Sequence, residues 1–319
     1  MLFQQYIPKS FCREYVQIKR SAVQLSMFMS TVLGIKPLMD DWISVDRLEE
    51  FKKICKQYGL KTREDIIFQQ VAKDDLPENV LGRECLTTTS AYGYPLGSKK
   101  NGQVHLFISK DQRLLRKGMW YPVTIKKRVI FQPRMDNLNY GYVLGYPDCC
   151  IKFFRKYNNW VEYSNLYEAY TNTKSKPHFS CNPFLKDLPF SYIYHMPCSY
   201  SCAATIKMVA KLRKEIKKRE PEFVELTDQY LKLPFLVFYE QKFYCFEGKL
   251  TDNEIKYKKF YFAGSDKSKD IYGEYFKEAD TLRLQGRELT ILKNKRVLKK
   301  INIKLNKFAP EYPFMVRFY

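Results

Sequence analysis

Gly145-Tyr146-Pro147-Asp148-Cys149-Cys150, answered downstream by His195-Met196-Pro197-Cys198-Ser199-Tyr200-Ser201-Cys202, is the pair of stretches around which the chain is organised. Each holds a proline and cysteines at an apparent helix start. Pro147 and Asp148 open one helix and place Cys149 and Cys150 in its first turn. The second helix opens near Ser199 and runs through Ile206, Val209, Ala210, Leu212 and Ile216 towards Pro221. Its outward face carries Lys207, Lys211, Arg213, Lys214, Lys217, Lys218 and Arg219.

Five of the nine cysteines lie between Cys149 and Cys202, together with His178 and His195, two of the three histidines. Such a concentration of soft and borderline donors points to a metal. Thiolates at helix N-termini are stabilised by unpaired N–H groups and by the positive end of the helix dipole. The candidate ligands are Cys149, Cys150, Cys181, His195, Cys198 and Cys202. Cys149, Cys198 and Cys202 lead the set, and Cys150, Cys181 or His195 supplies the fourth position. Adjacent residues on a helix point about 100° apart, so Cys149 and Cys150 are expected not to serve one iron together. The sequence lacks both the double Cys-x-x-Cys pattern of structural zinc and a Cys pair followed by a His pair. An iron-sulfur cluster, which accepts scattered ligands, is therefore the leading cofactor, in the 4Fe-4S form; zinc is the alternative. Radical S-adenosylmethionine chemistry is disfavoured because Thr205 stands where the third cysteine of Cys-x-x-x-Cys-x-x-Cys would fall.

The two motifs resemble the paired signatures of an uncharacterised, mainly archaeal family of domains of unknown function, over about residues 140 to 250. The resemblance implies a site and no particular reaction.

The chain has 319 residues, 45% hydrophobic and 16% aromatic, enough to bury a substantial core. Its charge of +21 favours an anionic partner, an acidic small molecule or a nucleic acid, RNA ahead of DNA. Lys207 to Arg219 and Lys293 to Lys307 are the densest basic runs. The alternative is that the Lys, Ile, Tyr and Asn bias is compositional. No run of about 18 apolar residues occurs; the longest candidate, Ala22 to Ile35, is interrupted by Gln24 and Ser26. With no secretory leader pattern in Met1 to Arg20, a cytoplasmic protein with reduced cysteines and no membrane span is expected.

Outward from the motifs, residues from Ser21 to about Lys73 read as helical. Leu48, Phe51, Ile54, Cys55 and Tyr58 form an apolar face, Asp46 is the N-cap and Gly59 the stop. From about 76 to 145, Val104 to Ser109, Trp120 to Ile125 and Val129 to Gln132 read as strands, punctuated by Gly93, Gly97 and Gly102. No nucleotide-binding glycine motif is present. After Leu233, strands are expected over Phe235 to Tyr239, Phe243 to Phe246, Ile255 to Phe262, Leu282 to Leu284, Leu289 to Leu292 and Val297 to Leu305. Cys12, Cys85 and Cys245 read as small core hydrophobes. The fold class is α+β: a helical N-terminal region over 1–75, a mixed α/β core with the metal site over 76–226 and an antiparallel β-rich region over 227–319.

Three functions follow. The first is an iron-sulfur protein with catalytic capacity, a lyase or transferase in which an open iron acts as Lewis acid or sulfur carrier and His195 and Cys150 assist. The second is a nucleic-acid-binding protein with a structural zinc or iron-sulfur site. The third is metal-free thiol redox chemistry at Cys149 or Cys150, activated by His195.

Overall fold

The computed structural model describes residues 6–64, 68–72, 86–87, 91–95, 102–115, 123–125, 128–131, 137–157, 165–239, 242–264, 271–304 and 312–319. Lys73, Cys85, Gly97, Trp120, Gln132, Leu305 and Lys307, named above, lie outside these residues. The chain forms two compact units that meet in sequence at Tyr146 and Pro147, inside the 76–226 region.

The first unit, Gln5–Tyr146, contains helices α1 (Arg13–Lys19), α2 (Leu25–Val32), α3 (Leu48–Gln57), α4 (Gln112–Leu115) and α5 (Asn137–Val143). Its strands are β1 (Met39–Ser44), β2 (Lys61–Glu64), β3 (Phe68–Ala72), β4 (Leu86–Thr87), β5 (Ala91–Pro95), β6 (Gln103–Ser109), β7 (Val123–Ile125) and β8 (Arg128–Phe131). They form one antiparallel sheet in the order β1-β6-β3-β5-β4-β7-β8, with β2 also paired to β6. On the helical side Tyr15 stacks on Phe28 at 4.4 Å and Phe51 packs against both.

Three strands, β1 to β3, fall inside the stretch expected to be helical. The reason is visible in β1: burial alternates residue by residue from Met39 to Ser44, a period of two that suits a strand with one covered face. Asp41, on the buried face, is matched by Lys19 and by the Tyr15 hydroxyl at 2.6 Å. Asp46 does not cap α3. It sits in a short 3-10 turn, Val45–Arg47, where its carboxylate accepts from the Ser44 hydroxyl. The α3 face is as expected, with Leu48, Phe51, Ile54 and Cys55 buried, and Gly59 ends the helix at φ 69°.

The second unit contains α6 (Asp148–Tyr157), α7 (Asn165–Thr171), α8 (Ala203–Lys217), α9 (Pro221–Leu231) and α10 (Ile271–Glu278). Its strands are β9 (Pro234–Tyr239), β10 (Lys242–Thr251), β11 (Glu254–Phe262), β12 (Thr281–Gln285), β13 (Glu288–Lys293), β14 (Arg296–Asn302) and β15 (Phe314–Arg317). They make a seven-stranded antiparallel sheet, β14-β13-β12-β11-β10-β9-β15, in which β9 to β14 answer the six runs expected as strands and β15 is an additional one. Leu236, Tyr244, Phe246, Ile255, Leu282 and Ile291 are among the residues that bury one face, with Phe276 of α10. The α8–α9 pair is locked by Arg213, whose guanidinium donates to the Asp228 carboxylate at 2.8 Å, while the Tyr192 hydroxyl donates to the same group at 3.0 Å.

Near the end of the first unit, Asp40 accepts from the Tyr140 hydroxyl at 2.8 Å and pairs with His105 Nε2 at 3.0 Å. Lys36 donates to the Leu144 carbonyl and lies 4.5 Å from the Tyr146 ring centre. The enclosed setting of this amine depresses its pKa to about 7, partly offset by Asp40. The unfolded chain, with an ordinary lysine near 10.5, therefore binds more protons than the folded chain between about pH 7 and 10.5. Stability should rise with pH across that window. In urea titrations at pH 7 and pH 9, Lys36→Met is expected to show a smaller gain than the wild type; equal gains in both would refute the assignment.

Candidate metal centre

The punctuation of the first motif explains where its cysteines stand. Gly145, at φ 72°, closes α5: its N–H and that of Tyr146 donate to the Tyr142 and Gly141 carbonyls at 3.0 and 2.9 Å. A side chain there would be strained and would meet the Pro37 ring at 2.7 Å. Pro147, which has no N–H to leave unpaired, then opens α6, and its carbonyl accepts from the N–H groups of Cys150 and Ile151 at 2.9 and 3.0 Å. Asp148 pairs with Lys152 one turn on, at 2.8 Å. Cys149 and Cys150 thus occupy the first turn of α6, as predicted.

The second motif is a turn before α8 rather than its first turn. The Cys202 N–H donates to the Ser199 carbonyl at 3.2 Å, and Cys202 itself is the N-cap, with its carbonyl accepting from Ile206 at 3.0 Å. The helix start lies four residues beyond Ser199 because Ser199 to Ser201 are taken up by this turn. Tyr200 anchors it. Its ring is fully buried, its hydroxyl donates to the Leu166 carbonyl at 2.9 Å, and its N–H donates to the Thr173 hydroxyl at 2.8 Å. Asn172 holds the Cys198 carbonyl at 3.4 Å.

These elements bring Cys149, Cys150, Cys198 and Cys202 into one group, with all four sulfurs within 4.8 Å of one another. The Cys149–Cys150 separation is 3.9 Å, and Cys202 lies 3.6 Å from each. The two adjacent cysteines therefore do converge. A 100° offset separates their Cα–Cβ bonds, but a single χ1 rotation swings each short side chain towards a common point beyond the helix end. Cys149 is exposed, Cys198 half-buried, and Cys150 and Cys202 buried.

Cys181 and His195 stand outside the group of four. Cys181 is fully buried behind it and donates to the Cys202 carbonyl at 3.7 Å. His195, also buried, places Nε2 at 3.0 Å from the Thr205 hydroxyl, which lies 3.4 Å from the Cys150 sulfur. His178 is farther off: its ring stacks on Phe179 and accepts from the Ser180 N–H. Thr205 is the member that sequence reasoning missed, since it drew notice only as the residue that was not a cysteine. Its position three residues after Cys202, in the first turn of α8, was the available signal. Cys12, Cys55 and Cys245 are buried outside this group, and burial, with Asp41 nearby, pushes the Cys55 thiol up to about 12.

The sulfurs cannot share charge evenly. Hydrogen bonds from Cys150 and Cys198 depress the pKa of Cys202, so that the first thiolate forms there. Hydrogen bonds with Cys198 and Cys202, then burial, raise Cys150, and the charge on Cys202 adds to the effect. Cys198 is pulled down by its bond with Cys150, but the bond with Cys202 and burial prevail and leave it at about 12. A cation placed among them would displace these protons, and its affinity would rise with pH.

Residues 103–231 match the model of a family described as "Protein of unknown function (DUF483)". The match covers less than half of the chain and includes all four clustered cysteines, Cys181, His195 and Thr205. Neither the curated proteins nor the solved structures yielded a match. Among the described residues, no helix is long and apolar enough to cross a membrane.

Cys202→Ser should abolish metal uptake, whereas Cys55→Ser should leave metal content unchanged, as measured by elemental analysis of purified protein. Thr205→Val removes the hydroxyl between His195 and Cys150 and should weaken metal binding by about 10-fold to 100-fold in chelator competition. An unchanged affinity would show that this hydroxyl does not support the ligand.

Proposed function

We propose that Cys149, Cys150, Cys198 and Cys202 hold a single tetrahedral ion of the zinc class, and that its task is to fasten the irregular centre of the second unit. The sulfur spacing carries this reading. Four thiolates about 2.3 Å from one tetrahedral ion lie roughly 3.8 Å from one another, and the separations here are 3.6, 3.6 and 3.9 Å, with none of the six above 4.8 Å. In a four-iron cluster each cysteine binds a different corner, so the iron–iron separation is added to the distance between ligands. The spacing thus favours zinc over the iron-sulfur cluster that ligand scatter suggested.

The donor chemistry agrees with the geometry. Four thiolates on a divalent ion carry a net charge of −2, and the first turn of α6 and the N-cap of α8 direct positive helix ends at this charge. Four protein ligands also fill the tetrahedron, which is the mark of a structural site rather than a catalytic one. His195 then supports Cys150 through Thr205 instead of acting on a substrate, and Cys150 serves as ligand rather than nucleophile.

What the ion would hold is the run from Asn172 to Cys202. This stretch contains one short 3-10 turn, Phe179–Cys181, and otherwise neither helix nor strand, yet much of it is buried. A segment of that length without regular structure inside a compact unit requires fixed points.

Protein purified without oxygen should contain about one zinc-class ion per chain and no acid-labile sulfide, and its cobalt-substituted form should show the intense visible bands of a tetrahedral thiolate site. Stoichiometric iron with sulfide would overturn the proposal and restore the cluster. Removal of the ion by a chelator should lower the unfolding midpoint and open the region around 172–202 to proteolysis.

A further inference from the structure

Helix α8 leaves the cysteine group with its two sides sharply different. Thr205, Val209, Leu212 and Ile216 are buried. On the opposite side Lys207, Lys211, Lys214 and Lys218 are exposed, at steps of four, three and four residues. At 100° per residue the four fall in a sector about 60° wide, and at 1.5 Å per residue they span about 16 Å of the helix axis. They form a straight stripe of one sign.

Between Lys207 and Arg219 seven basic residues face a single acid, Glu215. Arg213 is engaged by Asp228 and Lys218 by Glu215, at 2.7 Å. Among the described residues, Lys207, Lys211 and Lys214 form no ion pair. A compositional excess of lysine would scatter over the surface, whereas this register repeats one face of a helix through three turns.

We propose that this stripe is a docking surface for the phosphate backbone of a nucleic acid, gripped by charge and without reading of bases. One strand carries a phosphate for about every 3.4 Å of rise, so the stripe is long enough to follow about five of them. Flexible ammonium groups suit phosphates as point charges, and no motif for base recognition accompanies them. A membrane surface is the poorer fit. An interfacial helix inserts its apolar side, and here that side is occupied by the core of the unit. The inference does not depend on which ion, if any, fills the cysteine site.

The test is fluorescence anisotropy of a labelled oligouridylate, titrated with the metal-loaded full chain over a range of salt concentrations. Binding should be detectable at low ionic strength and fall steeply with salt. The double variant Lys211→Gln/Lys214→Gln should weaken it on the order of tenfold and flatten the slope of log affinity against log salt by about 1.4, two contacts at about 0.7 each. Lys258→Gln/Lys259→Gln, an equal charge change at exposed positions of β11, should leave both quantities near wild type. Metal content and unfolding midpoint are measured on the same samples. Values unchanged in both variants would separate a lost surface from a lost fold and would leave the zinc proposal untouched. No binding at low salt would overturn the inference, as would equal losses in the two variants, or tighter binding to vesicles of anionic phospholipid than to the oligonucleotide.

Discussion

Four thiols gathered within 4.8 Å set the central constraint of the second unit. Hydrogen bonding among the thiols lowers the pKa of Cys202 and raises those of Cys150 and Cys198, so that they do not ionise together readily. The backbone nevertheless keeps them together. Pro147 starts α6 so that Cys149 and Cys150 stand in its first turn, and buried Tyr200 pins the turn that carries Cys198 and Cys202. Ordering groups that repel one another on ionisation makes sense when a cation is the intended occupant, because each proton it displaces is replaced by a metal–sulfur bond.

The cluster was legible in the sequence because cysteine and histidine are scarce and their crowding is not explained by packing. Membership was less legible. Cys181 and His195 were plausible by spacing alone, but they belong to an irregular stretch whose path no periodicity reveals. That path carries Cys181 behind the Cys202 carbonyl and His195 behind Thr205. The approach of the Cys149 and Cys150 sulfurs was not legible for a different reason: helical offset describes where Cβ atoms point, and a one-carbon side chain at a helix end has freedom beyond it. Strands β9 to β14 of the C-terminal sheet were readable as β-type runs between turns, whereas β15 was not and β1 was hidden by its two aspartates. Asp41 lies on the buried face only because Lys19 and Tyr15 meet it there, a tertiary contact absent from local pattern.

Charge along α8 follows the same electrostatic logic from end to end. Cys202 caps its N-terminus, where the helix dipole favours negative charge, and the lysines accumulate towards its C-terminus, where it favours positive charge. The helix can therefore carry an anionic centre and a cationic stripe without either destabilising it. Glu215 pairs directly with Lys218, and Asp228 with Arg213. Lys207, Lys211 and Lys214 form no ion pair among the described residues, and the line through them is the most strongly cationic part of α8.

The same scarcity of regular structure that obscured the path of residues 172–202 bears on what a bound ion would contribute. Cys150 and Cys198 lie 48 residues apart in the chain (198 − 150). Closing a loop of that length costs the unfolded chain about 4 kcal/mol of conformational freedom if a metal bridge constrains it as a disulfide does. That figure is a large fraction of the net stability of a typical domain, about 5–15 kcal/mol. Two ligands at each end suit this task better than four close in sequence, because a pair of adjacent Cys-x-x-Cys loops would fasten only local turns. Bound to one ion, Cys149–Cys150 and Cys198–Cys202 would instead tie the start of α6 to the start of α8, with α7 and the buried irregular segment between them. The wide separation that argued against zinc by sequence pattern is, in physical terms, what would make a closed four-thiolate site effective here.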